Sequence, residues 1–553
     1  MQRHHERIYY LVDEGLIGEA GAAPAGNNVH ALADTPTTPD PSALAQEREF
    51  KFGRMFKVDA QAISTEEKDA LKRNLVKLGQ AMVSAEEPTD PDANNSVIPS
   101  GYTYLGQFIT HEITFDVTKG LPAAETTPEL VEQGRTPLLD LDSLYGDRRP
   151  GKKNLKLYEE DEVHLKYGTT VVETSSTDDR TFKNDLPRVG GTSEDKLKAL
   201  IADPRNDENL PVAQTHVALI KFHNKVVDKL KAEHHPAETL FEAACEKVVR
   251  HFQWIVLHDY LPKIINESVL ASVLAEGAKC FKVDSIKKLC MPVEFSVAAF
   301  RIGHSMVRDS YEWNNPRSSG PFGQIVGRAK IKDLFDFTGF SGNMRGEKAL
   351  PSTWVIDWRR FFDFPDELKV KKLHPEDARK VNKAQKIDTT INLPLHKIPG
   401  FPHDIADEGM RSITARNLLR GFYLGLPTAQ EVAEKMREAM QPTAIPMLTE
   451  DKIAGGTHEQ LLRDCQFHKQ TPLWYYILKE AEMTEQGNKL GFIGSRIIAE
   501  TFYAIIMHSE TSILREPQWR PDLGTRPPTF EMVDLLKFAG TISPLGTVDP
   551  VET

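Results

Sequence analysis

His111 lies in the stretch GQFITHEITFD (Gly106–Asp116), where a glutamine, a histidine and a glutamate interrupt otherwise apolar text. A neutral imidazole can take a proton on one ring nitrogen and release one from the other, or ligate a metal. At about 100° per residue, Gln107 and His111 fall on one helical face, and Glu112 points toward different neighbours. Zinc hydrolysis by an HExxH pair is excluded, because Phe115 stands where the second histidine is needed. Three other stretches carry reactive side chains. ADPRNDENLP holds Arg205 just ahead of a helix, FRIGHSMV holds His304 in an apolar run, and TARNLLRGFYLGLP holds Asn417 and Arg420 at i, i+3. Peroxide cleavage at a haem needs these parts: one histidine on iron, another to move a peroxide proton, an arginine for the developing negative charge, and an amide. Composition alone could not assemble them.

A large helical chain has to position these groups. Helical spacing runs through EEKDALKRNLVKLGQAMV, SGYTYLGQFITHEITFD, PVAQTHVALIKFHNKVVDKLKAEHH, AETLFEAACEKVVRHFQWIVLHDYLPKII, EFSVAAFRIGHSMV, SITARNLLRGFYLGL and SRIIAETFYAIIMHSETSIL. Residues 117–210 read as mostly loop, with one β-rich patch, EVHLKYGTTVVETSS. No internal repeat is present. The pattern predicts a mainly α fold, a large single domain with long irregular loops and little β. A flexible N-terminal arm is expected over 1–48, the domain over 49–545 and a tail over 546–553.

Lys and Arg number 68 against 80 Asp and Glu, a net charge of -12, which lacks the basic stripe that nucleic-acid binding requires. Hydrophobic residues at 40% exclude global disorder. Four cysteines without zinc-knuckle or CxxC spacing point to a reducing compartment. No apolar run of about 18–20 residues is present, so no transmembrane helix is expected. The N-terminus lacks an apolar signal-peptide core, and the expected location is cytoplasmic.

The stretches YTYLGQFITHEITFD, RTPLLDLDSLYG, LIADPRNDENLPVAQTHVALIKFHNKVV, EFSVAAFRIGHSMV and ARNLLRGFYLGLP occur in that order, followed by GSRIIAETFYAIIMHSETSIL. Over roughly residues 50–540 the chain resembles the animal-type haem peroxidases of the peroxidase–cyclooxygenase superfamily, and most closely their bacterial branch. The resemblance implies a haem-dependent peroxidase that reduces hydrogen peroxide through a ferryl intermediate and oxidises small organic donors, bromide or iodide. It makes His111 the distal acid–base, Gln107 its neighbour that orients a water or halide, and Arg205 the distal arginine. It makes His304 the proximal iron ligand, with Asn417 accepting a hydrogen bond from its second ring nitrogen. A neutral amide leaves that imidazole less anionic than a carboxylate would, which raises the iron potential. Arg420 and Arg301 are implied partners of the haem propionates.

RTPLLDLDSLYG resembles the family's calcium loop. Asp140 and Asp142 offer carboxylates, Thr136 a hydroxyl and a carbonyl, and Leu138 a carbonyl, with Glu112 completing the hard-oxygen set. The family usually has Asp where Glu112 stands. Relatives that link haem by two esters and a sulfonium use an Asp, a Glu and a Met. Thr110, Glu208 and Asn209 stand at those positions, so haem b is expected to be held non-covalently or through Glu208 alone. Arg301 occupies the place of the cyclooxygenase radical tyrosine, which argues against dioxygenase chemistry. Two alternatives remain: a haem- and calcium-binding sensor or structural protein without efficient turnover, and a fatty-acid dioxygenase. The expected partners are hydrogen peroxide and a small electron donor, with a homo-oligomer left open. His216 and His223 are expected to be core or groove residues.

Overall fold

Side-chain caps start the helices that frame the site. Ser64 accepts from Glu67 N (3.2 Å) while Glu67 accepts from Ser64 N (2.7 Å), a capping box that opens α1 (Thr65–Ala81). Helix α2 (Gly101–Ile113) has no side-chain cap. Asn209 caps α3 (Leu210–Ala232), with Pro211 in the first turn, where no amide hydrogen is missed. Helix α4 (Leu240–Ile255) runs on through a π-helical turn, Val256–Tyr260. Further along lie α5 (Gly303–Met306), α6 (Ile413–Tyr423, capped by Ser412), α7 (Leu473–Glu485) and α8 (Phe492–His508). The structure is a computed structural model. It describes residues 51–542 apart from 59–62, 87–88, 116–126, 132, 148–153, 173–180, 193–194, 315–326, 366–380, 397–411 and 525–526. The expected arm (1–48) and tail (546–553) lie outside the described residues.

The architecture is mainly helical. Helix α2 packs against α3 and α5, α3 against α4, and α6 against α1 and α7. Gly79 permits the α1–α6 approach, since a Cβ there would meet Ala415 Cα at 2.4 Å. Gly106 does the same for α2, where a Cβ would meet the Tyr260 hydroxyl at 2.5 Å. Among the described residues, β structure is three two-stranded pairs. β1 (Phe52–Gly53) runs parallel to β3 (Met291–Pro292), β2 (Asn95–Pro99) antiparallel to β6 (Lys383–Gln385), and β4 (Ser310–Glu312) antiparallel to β5 (Arg328–Lys330). One continuous apolar core extends from Phe52 to Ala539. Helix α2 is buried on every face, with only Gln107 and Thr110 partly open. Such a helix belongs in a core, and its two open residues face a cavity.

Two sequence readings are corrected. EVHLKYGTTVVETSS forms no strand among the described residues, only isolated bridges from Leu165, Gly168 and Val171. Asn224 on α3 takes both the amide and the carbonyl of Leu165 at 2.8 Å, doing the work of a neighbouring strand. EFSVAAFRIGHSMV is not one helix. It is a π-helical segment, Glu294–Ala299, then a turn, then the single helical turn of α5. Phe300 N bonds back to Phe295 O at 2.9 Å and the two rings stack 4.7 Å apart, so the chain turns before His304.

Candidate functional site

Five consecutive polar side chains, Arg205 to Asn209, are all buried, at 0–2% exposure. Burial of polar groups is costly unless they are hydrogen-bonded. Arg205 donates from Nε and Nη2 to both oxygens of Asp203 (3.1 and 2.7 Å), and from Nη2 to the carbonyls of His111 (2.9 Å) and Thr114 (2.8 Å). It thereby satisfies carbonyls left over at the end of α2. Burial disfavours the charge on Asp203, but Arg205 and Arg135 outweigh burial and hold its carboxyl far below the usual range. Asn206 places Oδ1 at 2.9 Å from His111 Nδ1 and Nδ2 at 3.0 Å from His216 Nδ1. Asp207 accepts from Arg188 Nη1 (2.9 Å) and Gly339 N (3.0 Å), which anchors the loop. Glu208 Oε2 lies 3.4 Å from Gln107 Nε2 and 3.5 Å from His111 Nε2. Asn209 Nδ2 donates to Gln107 Oε1 at 3.0 Å while its own Oδ1 caps α3.

Both histidines of interest line one cavity of about 1140 Å³, mouth included. Helix α2 contributes Gln107, Thr110 and His111, the polar loop contributes Arg205 and Asn209, the turn before α5 contributes Arg301, and α5 itself contributes His304. Phe295, Phe300 and Ile302 add apolar wall. Burial, with the Arg301 and Arg416 charges, lowers His304 to about 3, so its imidazole is neutral. Burial raises Glu208, Arg205 opposes it, and the carboxyl settles at about 8, mostly protonated at neutral pH. Glu208 Oε1 is buried without a hydrogen-bond partner.

The second ring nitrogen of His304 meets Asn417, but with the other end of the amide than expected. Arg301 Nη1 donates to Asn417 Oδ1 at 3.1 Å, and Asn417 Nδ2 stands 2.8 Å from His304 Nδ1. A guanidinium has no acceptor, so it takes the amide oxygen and leaves the NH2 group for the histidine. Arg420 is buried and does not line the cavity, which leaves Arg301 as the cavity guanidinium beside His304.

Glu112 faces a different set. Its oxygens accept from Asp142 N and Ser143 N, both at 3.0 Å, and so cap the short helix Asp142–Tyr145. Glu112, Asp140 and Asp142 each present an oxygen within 4.8 Å of the others. Thr136 donates its hydroxyl to Asp140 Oδ1 at 3.1 Å, and Leu138 is buried in the same loop. Burial, then the charges of Asp142 and Asp140, push Glu112 well above the carboxylate range. Burial raises Asp142, Arg135 opposes it, Asp140 adds to it, and the carboxyl lies at about 7. Asp142 Oδ1 is buried and makes no hydrogen bond. Crowded carboxylates of this kind are relieved by protons or by a hard cation.

The family model described as animal haem peroxidase matches residues 51–336, more than half of the chain. The chain belongs to this family. The match takes in His111, Arg205 and His304, whereas Asn417 and Arg420 lie beyond it. A peroxidase-like protein of Margaritifera margaritifera is 31% identical over 139 residues, 24% of this chain and 17% of that protein. The dual oxidase of Drosophila melanogaster is 26% identical over 128 residues, 23% of this chain and 8% of that protein. Rat thyroid peroxidase is 26% identical over 192 residues, 32% and 20% of the two chains. The chain thus spans a fifth or less of these curated relatives. Among solved structures, peroxidase A of Dictyostelium discoideum superposes with a TM-score of 0.55 at 15% identity, covering 91% of this chain and 95% of that one. A fatty acid alpha-dioxygenase of Oryza sativa gives 0.52 at 10% identity, covering 90% and 80%. At these identities the likeness is of fold.

The expected bacterial branch is overturned: these three relatives of the chain come from a mollusc, an insect and a mammal, and a fold neighbour from an amoeba. The cytoplasmic placement goes with it, since it drew on cysteine usage and an N-terminus outside the described residues, and these eukaryotic relatives give it no support. Among the described residues, no helix is long and apolar enough to cross a membrane. Sequence reasoning missed Asn206, His216, Asp203 and Arg135. The one available signal was the unbroken polar run RNDEN ahead of Pro211, which by composition reads as a surface loop.

Proposed function

We propose that this member of the animal haem peroxidases binds haem b between His111 and His304, reduces hydrogen peroxide, and oxidises phenols, bromide or iodide. The observation that supports it most is the single cavity onto which Gln107, His111, Arg205, Arg301 and His304 all open. The residues present suit the group: a neutral imidazole as ligand, a guanidinium for propionates, and a buried carboxyl with one unpartnered oxygen. Bound haem would supply the iron at which the O–O bond is broken. His304 would be its ligand and Arg301 would pair with a propionate. His111 would take the peroxide proton at Nε2 and return it to the departing oxygen, and Arg205 would offset the negative charge that develops there. With Arg301 drawn toward a propionate, the Asn417 amide would be free to turn over, so that Oδ1 in place of Nδ2 could accept from His304 Nδ1. The direct test loads the chain with haem and follows peroxide-dependent oxidation of iodide and a phenol. Oxidation of both is expected, and haem binding without turnover would favour a sensor instead.

Glu208 is the residue left for a covalent haem link, because neither Thr110 nor Asn209 can make one. Extraction of Glu208→Gln with acidified butanone is expected to leave no haem on the polypeptide. Haem retained by that variant would refute the assignment.

Glu112, Asp140 and Asp142, with Thr136 and Leu138, are proposed to hold one calcium ion. Chelation is expected to release one calcium per chain and lower Tm by about 2–5 °C, the scale of a ligand lost from tens to hundreds of times its Kd in a chain this long. An unchanged Tm with no metal detected would remove the site.

A further inference from the structure

We propose that Asn206 and His216 are positioning residues that keep the ring proton of His111 on Nδ1, leaving Nε2 as the unprotonated nitrogen beside the cavity. This rests on the reading of His111 as the proton-moving residue. The three side chains form one buried line: His111 at 5% exposure, Asn206 at 0% and His216 at 1%. His111 Nδ1 and Asn206 Oδ1 are 2.9 Å apart, and an amide oxygen only accepts, so Nδ1 donates. Asn206 Nδ2 only donates, so His216 Nδ1, 3.0 Å away, accepts and that ring carries its proton on Nε2. Burial lowers His216 to about 3, which keeps it a neutral acceptor.

The amide links the two rings because its ends are chemically opposite. A proton on His216 Nδ1 would require Asn206 to turn over and present Oδ1 to His216. Nδ2 would then face His111, whose Nδ1 would have to accept, and the His111 proton would move to Nε2. A residue on α3, ten positions beyond Asn206 and packed edge-on against the Phe108 ring with centroids 5.9 Å apart, thus selects which nitrogen of His111 is basic. Neither residue needs to touch substrate. Histidines with assigned catalytic or ligand roles commonly have the second nitrogen fixed in this way.

The test reads the tautomer directly, in the full-length haem-free chain labelled with 15N-histidine. The His111 signals are assigned by their loss in His111→Ala. Wild type is expected to show the Nδ1–H tautomer. Asn206→Leu and His216→Phe are expected to shift His111 toward Nε2–H or a mixture. His216→Gln, which restores an acceptor, is expected to recover the wild-type pattern. In haem-loaded protein the first two variants should lower the peroxide rate constant by about 10–100-fold with the donor KM unchanged, and His216→Gln should not. An Nδ1–H signal that persists in both Asn206→Leu and His216→Phe would overturn the proposal. So would equal loss in His216→Gln and His216→Phe. If Asn206→Leu fails to fold, the two His216 variants decide alone. If wild type proves to be no peroxidase, the tautomer measurement still stands, which separates failure of the relay from failure of the functional reading.

Discussion

Replacing His111 with alanine is expected to lower the rate constant for peroxide reduction by about 10²–10⁴-fold while leaving the Soret band in place. Replacing His304 with alanine is expected to abolish that band. The two histidines are equivalent by residue type and both line the cavity, but their surroundings differ. His304 is made neutral by burial and two nearby guanidiniums, the charge state in which an imidazole ligates a metal. His111 has its Nδ1 engaged by Asn206, and its Nε2 lies 3.5 Å from a carboxyl that is mostly protonated at neutral pH. A protonated Glu208 puts no full negative charge beside Nε2. Absorption spectra and rapid-mixing kinetics of the two variants check the assignment. A Soret band lost in His111→Ala and kept in His304→Ala would reverse the roles.

Asp203→Ala is expected to cost about 3–5 kcal/mol of stability, a fall of about 3–5 °C in Tm for a chain of this length. Asp203 is fully buried and accepts from Arg205 and from Arg135, whose Nε is 3.0 Å away. Forming such a cluster gains little, since desolvation offsets the Coulomb attraction. Removing Asp203 takes away the carboxylate that both guanidiniums share and leaves Arg135 the more distant Asp142, at 3.9 Å. The carboxyl is depressed in the folded state, so its stabilisation is complete above about pH 4 and lost only as pH falls toward the folded value. The effect should reach function as well. Arg205 would lose the partner that fixes it against the end of α2, and Arg135 is 3.9 Å from Asp142 in the carboxylate cluster. Thermal unfolding at neutral pH measures the cost, and a Tm within 1 °C of wild type would show that the cluster relaxes around the gap (about 1 kcal/mol by the same scaling).

The helical character was legible wherever apolar spacing is long, as in α3, α4 and α8, because burial of one stripe depends on local sequence. It failed at His304, where apolar spacing ran through a π-helical segment and a turn in which the Phe295 and Phe300 rings stack. The β reading failed over EVHLKYGTTVVETSS, where among the described residues the amide and carbonyl of Leu165 are taken by the Asn224 side chain of α3 in place of a partner strand.

By itself, the sequence determined the family, the mainly helical class, and which histidines, arginine and carboxylates are candidates for chemistry. These follow from motifs and periodicities written within a few tens of residues. Only the tertiary structure decided how the groups act on one another. His111 and Asn206 are 95 residues apart, and Asn417 and His304 are 113 apart. Which end of an amide meets an imidazole, whether Glu208 keeps its proton, and that RNDEN is a buried bracket are set by who sits within about 3 Å and by how much water is excluded. Neither quantity has a period along the chain.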